Sequence, residues 1–420
     1  VVLETYLTIA VAVFLTWFVL VIILTPGIDY HVRQRIDIDD PAFLRTLRAT
    51  CQATLHEGNR VQILTDGGAY YPEMLAAIRS ARWSVNVECY IFEPGGIGDR
   101  FIEALVERAR AGVRVNVIAD SIGSARLSPG GGLARLRDAG CHAELYQPVT
   151  WYRLHRLNNR THRELFIVDG RVAFVGGSGI ADWWAPESGE RGWRDTMARV
   201  EGPVVAALQG VFAENWLECC GEMLTGTDQF PQLAPLGDTP ALVIKSSPAD
   251  RATASRVVFQ LLIEGARRDV CISTPYFLPD RAFRRCLVGA RARGVAVTVI
   301  VPGPTTDQRW VRLASRRLYG ELLAAGVQIY EYAPVMTHVK ALVVDGVWSV
   351  IGTTNFDNRS FEHNDEVNLA TSDPAIAVRL AADFEVDRVH SRPVTASDWD
   401  GRPVLERVIG PFAWVLERQQ

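Results

Sequence analysis

The chain has 420 residues, 48% of them hydrophobic, with 44 Lys and Arg against 48 Asp and Glu for a formal net charge of -4. This length and apolar content exclude a disordered protein and accommodate one large domain or two or three ordinary ones. The slight acidity offers no global attraction for a polyanion and argues against nucleic acid as the main partner.

The first predicted element is an uncharged apolar run of 18 residues, Leu7 to Leu24, about enough to span a bilayer. No basic stretch precedes it and no small-residue cleavage pattern follows, so it reads as a retained membrane anchor and not as a signal peptide. Arg33 and Arg35 follow the run, which places the bulk of the chain on the cytoplasmic side. The anchor is assigned to residues 1–26 and a juxtamembrane segment to 27–54. Because the chain starts at Val1 and not at a methionine, a preceding segment stays an open expectation.

After the anchor, one unit is written twice. "RWSVNVECYIFEP" (Arg82 to Pro94) is echoed by "RRDVCISTPYFLP" (Arg267 to Pro279), with Tyr90 and Tyr276 in matching places. "AGVRVNVIAD" (Ala111 to Asp120) is echoed by "RGVAVTVIVP" (Arg293 to Pro302), and "AGCHAELYQP" (Ala139 to Pro148) by "AGVQIYEYAP" (Ala325 to Pro334). The fourth pair is "THRELFIVDGRVAFVGG" (Thr161 to Gly177) and "THVKALVVDGVWSVIGT" (Thr337 to Thr353). Four echoes in one order predict two similar halves, 55–225 and 241–420, joined by a Gly- and Pro-rich linker at 226–240.

Within each half, β-branched runs alternate with helical stretches such as Asp99 to Ala111, which predicts an α/β fold with a mainly parallel sheet covered by helices. Asp169-Gly170 and Asp345-Gly346, flanked by apolar β-formers, predict hairpin turns with positive φ. Side chains alternate faces along a strand, so His162 shares a face with Glu164, and His338 with Lys340. Two such strands brought together present facing imidazoles with charged groups beside them. That set suits phosphodiester chemistry without a metal: one imidazole attacks phosphorus while the other moves protons, and cations and amide dipoles offset the developing charge. The Gly-rich ends "GGSG" (Gly176 to Gly179) and "GTTN" (Gly352 to Asn355) let backbone approach the phosphate. The seven cysteines have no C-x-x-C spacing and suggest neither zinc nor disulfides; buried free thiols are expected, and no cofactor.

The stretch from His338 to Leu369 resembles the second signature of the phospholipase D superfamily, H-x-K-x(4)-D followed by G-x-x-N, and in particular its bacterial cardiolipin synthase branch. The resemblance implies duplicated α/β/α sandwich halves sharing one central active site, an inner-membrane location, and transfer of a phosphatidyl group from phosphatidylglycerol to another lipid headgroup through a phosphohistidine. His338, Lys340, Asp345, Asn355 and the acid Glu366 match the second signature. In the first half His162, Asp169 and the downstream acid Asp195 match. The resemblance also implies that such an acid holds each imidazole and that His162 is the nucleophile. Glu164, Gly177, Ser178, Gly179, Thr353 and Asn355 are the expected substrate-binding positions.

Two positions depart from the pattern: Glu164 stands where a lysine is expected, and Gly179 where an asparagine is. At roughly 5 Å and an effective dielectric of about 20, one unit charge acts on a phosphate by about 3 kcal/mol, so reversing it is worth about 6 kcal/mol if uncompensated. A protonated Glu164, a pairing of Glu164 with Arg160, Arg163 or another arginine, and a substitute cation elsewhere are all open, as is a residue changed to stop turnover. Besides a transferase, the sequence accommodates a phospholipase D-type hydrolase and a catalytically impaired phospholipid-binding homologue. His155 and Arg156 are candidates for lipid phosphate, the tryptophans of Ala181 to Trp193 for an interfacial lip, and the basic helix that Trp310 begins for a membrane contact. The expected partners are a phospholipid and the membrane, with no nucleic acid; oligomeric state is not legible.

Overall fold

The duplicated runs of the sequence fold as duplicated strands. A computed structural model describes residues 2–24, 30–150, 158–185, 191–248, 253–403 and 406–407. The first half contributes β1 (Leu55–Thr65), β2 (Ser84–Cys89), β3 (Arg114–Asp120), β4 (His142–Tyr146), β5 (Arg160–Thr161), β6 (Leu165–Val168), β7 (Val172–Gly176) and β8 (Thr196–Glu201). The second contributes β9 (Thr239–Ser246), β10 (Asp269–Ser273), β11 (Phe277–Leu278), β12 (Ala296–Pro302), β13 (Gln328–Tyr332) and β14 (Ala341–Val344). It continues with β15 (Trp348–Gly352), β16 (Phe356–Asp357), β17 (Asn364–Thr371) and β18 (Ser391–Pro393).

Hydrogen bonding runs β1-β8-β7-β6-β2-β3-β4 in one half and β9-β17-β15-β14-β10-β12-β13 in the other, so each strand has a counterpart in the same place. The expectation of a mainly parallel sheet is corrected. Within these two runs only the outer strands, β2-β3-β4 and β10-β12-β13, pair in parallel, joined by helical crossovers such as Gly96–Arg110 and Arg281–Ala292. Hairpins supply the inner strands, which pair antiparallel. Both turns are as read: Asp169 and Gly170 have φ of 53° and 59°, and Asp345 and Gly346 have 54° and 62°.

Strand β1 carries an irregularity between His56 and Asn59, so that its first part pairs with β9 and its second with β8, tying the halves together. Each half has an outer core of helix against sheet. A third core lies between the halves, where Leu165, Ile167, Val175 and Ala198 meet Val343, Ile351, Val367 and Leu369. Fully burying such a side chain stabilises by about 1.5–3 kcal/mol, so this shared core fixes the halves against each other.

At the N-terminus α1 (Val2–Leu24) contains the apolar run, although the side chains of Leu7 and of 18–24 lie outside the described residues. Among the described residues no helix is long and apolar enough to cross a membrane. The helix α2 (Pro41–Cys51) starts at Asp40, whose carboxylate accepts from the Ala42 N–H at 2.7 Å, with Pro41 in its first turn. Phe43, Leu47 and Cys51 are buried in the outer core of the second half, the Phe43 ring 5.7 Å from that of Trp348. The segment between β8 and β9 is likewise packed and not a loose tether. Gln229 is fully buried and accepts from Asn86 at 2.9 Å, and β9 already begins at Thr239. Cysteines 51, 89, 141 and 286 are buried free thiols as expected, but Cys220 is exposed.

Candidate active site

Since β6 runs antiparallel to β2, and β14 to β10, the residues just ahead of β6 and β14 lie at the C-terminal edge of each half's parallel strands. There each histidine-bearing segment crosses to the opposite half. Arg160 and Thr161 pair with Asn364 and Asp365, and the His162 N–H donates to the Asp365 carbonyl at 2.9 Å. Thr337 bridges to Arg194, and the His338 N–H donates to the Arg194 carbonyl at 2.7 Å.

That crossing decides which acid meets which imidazole. Nδ1 of His162 lies 3.0 and 3.1 Å from the two carboxylate oxygens of Glu366, and Nδ1 of His338 lies 3.0 Å from Oδ2 of Asp195. An acid does hold each imidazole, and it is the acid of the other half. The reason is the backbone exchange, which sets each acid one residue beyond the carbonyl that binds the partner histidine's N–H. All four side chains are buried, the imidazoles 9% and 6% exposed and the acids fully enclosed. Both acids are held in turn. Trp184 Nε1 donates to Asp195 at 3.0 Å and the Thr196 N–H at 2.8 Å, while Thr353 Oγ1 donates to Glu366.

Lys340 reaches the same centre. Its Nζ donates to the His338 carbonyl at 2.9 Å and lies 2.9 and 3.2 Å from the ring nitrogens. Burial pushes the ammonium down to about 8, against the pull of Asp195, Glu366 and Glu164. Burial also lowers His338, and the Lys340 cation adds to that, with Asp195 opposing. Burial and Lys340 both act against the charged form of His338, whose Nδ1 lies against Asp195.

Glu164 is brought to the site and is 3% exposed. Its Oε1 accepts from the Tyr90 N–H at 3.2 Å, and burial raises its carboxyl well above the usual range despite the Tyr90 and Ile91 N–H groups. Neither candidate arginine pairs with it. Arg160 donates to Ser121 Oγ at 3.0 Å and the Gln147 carbonyl at 2.9 Å; Arg163 donates to the Val211 carbonyl at 2.9 Å and to Glu214 at 3.1 Å.

Among the other expected substrate-binding positions, Gly177 is a close-approach position. A Cβ there would meet Asp195 Oδ1 at 2.4 Å and the His338 carbonyl at 2.8 Å, so only glycine admits that pairing. Ser178 is turned to the Gly179 carbonyl at 3.1 Å and to Tyr71, Thr353 serves Glu366, and Asn355 is 3% exposed with a buried, unpartnered Oδ1. Asp169 and Asp345 are not at the imidazoles. Each lies at the far end of a hairpin, where Asp169 accepts from the N–H groups of Arg82, Trp83 and Ser84 and Asp345 from those of Arg267, Arg268 and Asp269. Seven residues of extended chain separate them from the histidines, roughly 20 Å.

Sequence reasoning missed three aromatic walls. The Tyr90 ring lies 5.3 Å from that of His162, and the Trp184 and Trp193 rings lie 5.4 and 5.8 Å from that of His338. Trp184 is buried and so is no lip. The signal for Tyr90 was its recurrence as Tyr276. His155 and Arg156 lie outside the described residues. Among the described residues no group of acids, histidines and cysteines is arranged to hold a metal ion.

Comparison with known proteins agrees with this geometry. The family described as cardiolipin synthase, PLD-like domain, matches residues 74–216 and 260–388. A cardiolipin synthase of Alkalihalophilus pseudofirmus is 35% identical over 355 residues, covering 84% of this chain and 70% of that protein. The major cardiolipin synthase of Bacillus subtilis is 31% identical over 384 residues, covering 90% of this chain and 79% of its own. Among solved structures, the phosphatidylserine synthase of Haemophilus influenzae superposes with a TM-score of 0.68 over 89% of this chain and 98% of its own, at 13% identity, a likeness of fold. Two imidazoles cross-held by acids of opposite halves, on a duplicated fold matched along most of its length, make this chain a member of the phospholipase D-like family in its cardiolipin synthase branch.

Proposed function

We propose that this chain is a phosphatidyltransferase of the cardiolipin synthase type, acting on phosphatidylglycerol or a closely related phospholipid. The observation that carries the reading is the pair of buried imidazoles, each held through Nδ1 by a carboxylate, with Lys340 beside one of them. This leaves Nε2 of His162 for chemistry, and Nε2 of His338 beside Lys340 Nζ at 3.2 Å. One imidazole attacks phosphorus, forming a P–N bond as the P–O bond to the leaving glycerol breaks, and the other gives that oxygen its proton. The second imidazole then takes the proton of an incoming lipid hydroxyl, whose oxygen displaces the histidine. Phosphatidylglycerol in both roles gives cardiolipin and glycerol.

We assign the attack to His338, whose charged form is disfavoured by burial and by the Lys340 ammonium beside its ring. His162, held by Glu366, is then the proton carrier, the reverse of the roles that family precedent implies. Lys340 and Asn355 serve the phosphoryl oxygens; Asp195 and Glu366 position the rings; Asp169 and Asp345 anchor the hairpins. The chain divides as two such halves, 55–225 and 239–420, about the packed connection at 226–238.

Membrane attachment is part of the same proposal. In α1 the side chains of Ile9, Val11, Val13, Phe14, Leu15 and Trp17 are all exposed, covering every face of the helix, the pattern of a helix that needs an apolar surround. Ile122, Val149 and Trp310, which follow β3, β4 and β12, are also exposed on the edge that carries the histidines. A bacterial inner-membrane location follows from this reading. Incubating the full chain with phosphatidylglycerol vesicles and analysing products by mass spectrometry tests it: cardiolipin and glycerol are expected. Phosphatidic acid with glycerol and no cardiolipin marks a hydrolase, and no product under any condition marks an impaired homologue.

A further inference from the structure

The two halves differ in sign at one catalytic position, Glu164 against Lys340, and the structure couples that difference to a second one. Gly179 occupies the place of Asn355. A Cβ at 179 would fall 2.6 Å from the Ile91 carbonyl, 3.0 Å from Ile91 Cβ and 3.1 Å from Glu164 Oε1, so the Glu164 carboxyl sits in space that a side chain at 179 would need. One of its oxygens is engaged by the Tyr90 N–H. The other, Oε2, is buried without a hydrogen-bond partner, in a side chain only 3% exposed, in the short segment between β5 and β6 that also carries His162. A buried oxygen without a partner is costly, and a group in the catalytic centre that bears one is poised for a ligand.

We propose that Glu164 binds substrate as a neutral acid, its Oε2 hydroxyl donating a hydrogen bond to a non-bridging phosphoryl oxygen, with Gly179 supplying the room in which the carboxyl sits. This rests on the phosphatidyltransferase reading. Burial favours the protonated form and neighbouring Asp195 adds to it, against the Tyr90 and Ile91 N–H groups and Lys340. A carboxyl kept neutral becomes a donor where an ionised one would repel phosphate. The shared site is then asymmetric, with a cation from one half and a neutral donor from the other. A hydrogen bond present as charge builds on the phosphoryl group takes over part of the missing lysine's role without bringing a second buried ammonium beside Lys340.

The test compares wild type with Glu164→Gln and Glu164→Leu in two measurements across a pH series: cardiolipin formation from phosphatidylglycerol vesicles, and calorimetric binding of inorganic phosphate. Thermal unfolding reports whether each variant is folded. The amide of Glu164→Gln still accepts from Tyr90 and donates, so it is expected to lose less than about tenfold in kcat and to hold its phosphate binding to more alkaline pH than wild type. Glu164→Leu, with no donor, is expected to lose about 10²–10³-fold in kcat and most phosphate binding. A folded Glu164→Leu enzyme as active as wild type overturns the proposal, as does a Glu164→Gln enzyme impaired like Glu164→Leu at every pH. If wild type makes no cardiolipin, the transferase reading fails by itself. Phosphate binding then decides separately: wild type and Glu164→Gln above Glu164→Leu supports the donor, and equal binding by all three overturns it.

Discussion

Nδ1 of His162 lies 3.0 Å from Oε1 of Glu366, a residue 204 positions further along the chain and in the opposite half. The mirror pair, His338 and Asp195, is built the same way. Neither half therefore contains a complete histidine–acid pair of its own, and the site exists only when the halves are docked. Glu366→Gln is expected to lower kcat about 10²–10⁴-fold, since the amide no longer fixes the tautomer of His162 or supports its charge. Because Asp195 acts through His338, Asp195→Asn added to His338→Ala is expected to cost nothing more, whereas added to His162→Ala it is expected to matter for any residual step. Kinetics of cardiolipin formation for the single and double variants check this.

Asp169 and Asp345 are expected to govern stability and not chemistry. Each carboxylate satisfies backbone N–H groups at the start of a parallel strand from a residue with positive φ, so two roles are combined in one side chain. Asp345→Gly removes the carboxylate but tolerates the turn, and is expected to cost about 2 kcal/mol or more. Asp345→Ala adds the penalty of a Cβ at positive φ, about 1–2 kcal/mol. Denaturant melts should rank wild type above Gly above Ala, while kcat measured well below the melting temperature stays near wild type in both.

These outcomes bear on what the sequence made legible. The strands, the turns at Asp169 and Asp345 and the residues His162, His338 and Lys340 follow from local signals, namely repeat, period and dipeptide chemistry. The exchange of acids does not. It depends on Thr161 pairing with Asp365 and on Thr337 meeting Arg194, contacts between halves that leave no periodic trace. The sheet was misread for a similar reason: a β-branched run is the same text whether its neighbour runs parallel or antiparallel. The surroundings of the Glu164 carboxyl were not legible because they are made by Tyr90 and Ile91, which lie far away in sequence.

Lys340 trades stability for charge. Its ammonium is held at about 8 in the folded chain against an ordinary 10.5, so between those values the unfolded chain binds more protons and stability rises with pH. Phosphate binding moves the other way, weakening as the native ammonium deprotonates through about pH 8. Lys340→Met removes the buried charge and is expected to raise the unfolding temperature, to abolish its alkaline rise and to eliminate transfer. Thermal melts and activity measured over the same pH series test both signs at once.

If His338 is the nucleophile, rapid acid-free quenching of enzyme turning over phosphatidylglycerol labelled at phosphorus should leave the label on the peptide containing His338. His162→Ala should then accumulate or slowly form that adduct with a substrate bearing a good leaving group, which needs no proton. Label on His162 instead would restore the roles that family precedent implies and would leave Lys340 as a phosphate ligand only.

The two N-terminal helices are expected to separate under truncation. Nothing in the described core depends on α1, whereas α2 is enclosed by the second half. Asp39 pairs with Arg267 at 2.7 Å, Ile38 N–H donates to the Gly265 carbonyl at 3.2 Å, and a Cβ at Gly265 would fall 3.0 Å from the Phe43 ring. Removing residues 1–29 should therefore release the chain from vesicles in a flotation assay and leave its unfolding transition in place. Removing residues 1–54 exposes Phe259, Phe283 and Trp348, which pack with α2 in one cluster, and should lower or abolish that transition. Phe43→Ala in the full chain isolates the packing from the anchor. It is expected to cost about 3–5 kcal/mol with vesicle binding intact, so a variant that floats normally but unfolds early identifies α2 as part of the catalytic fold.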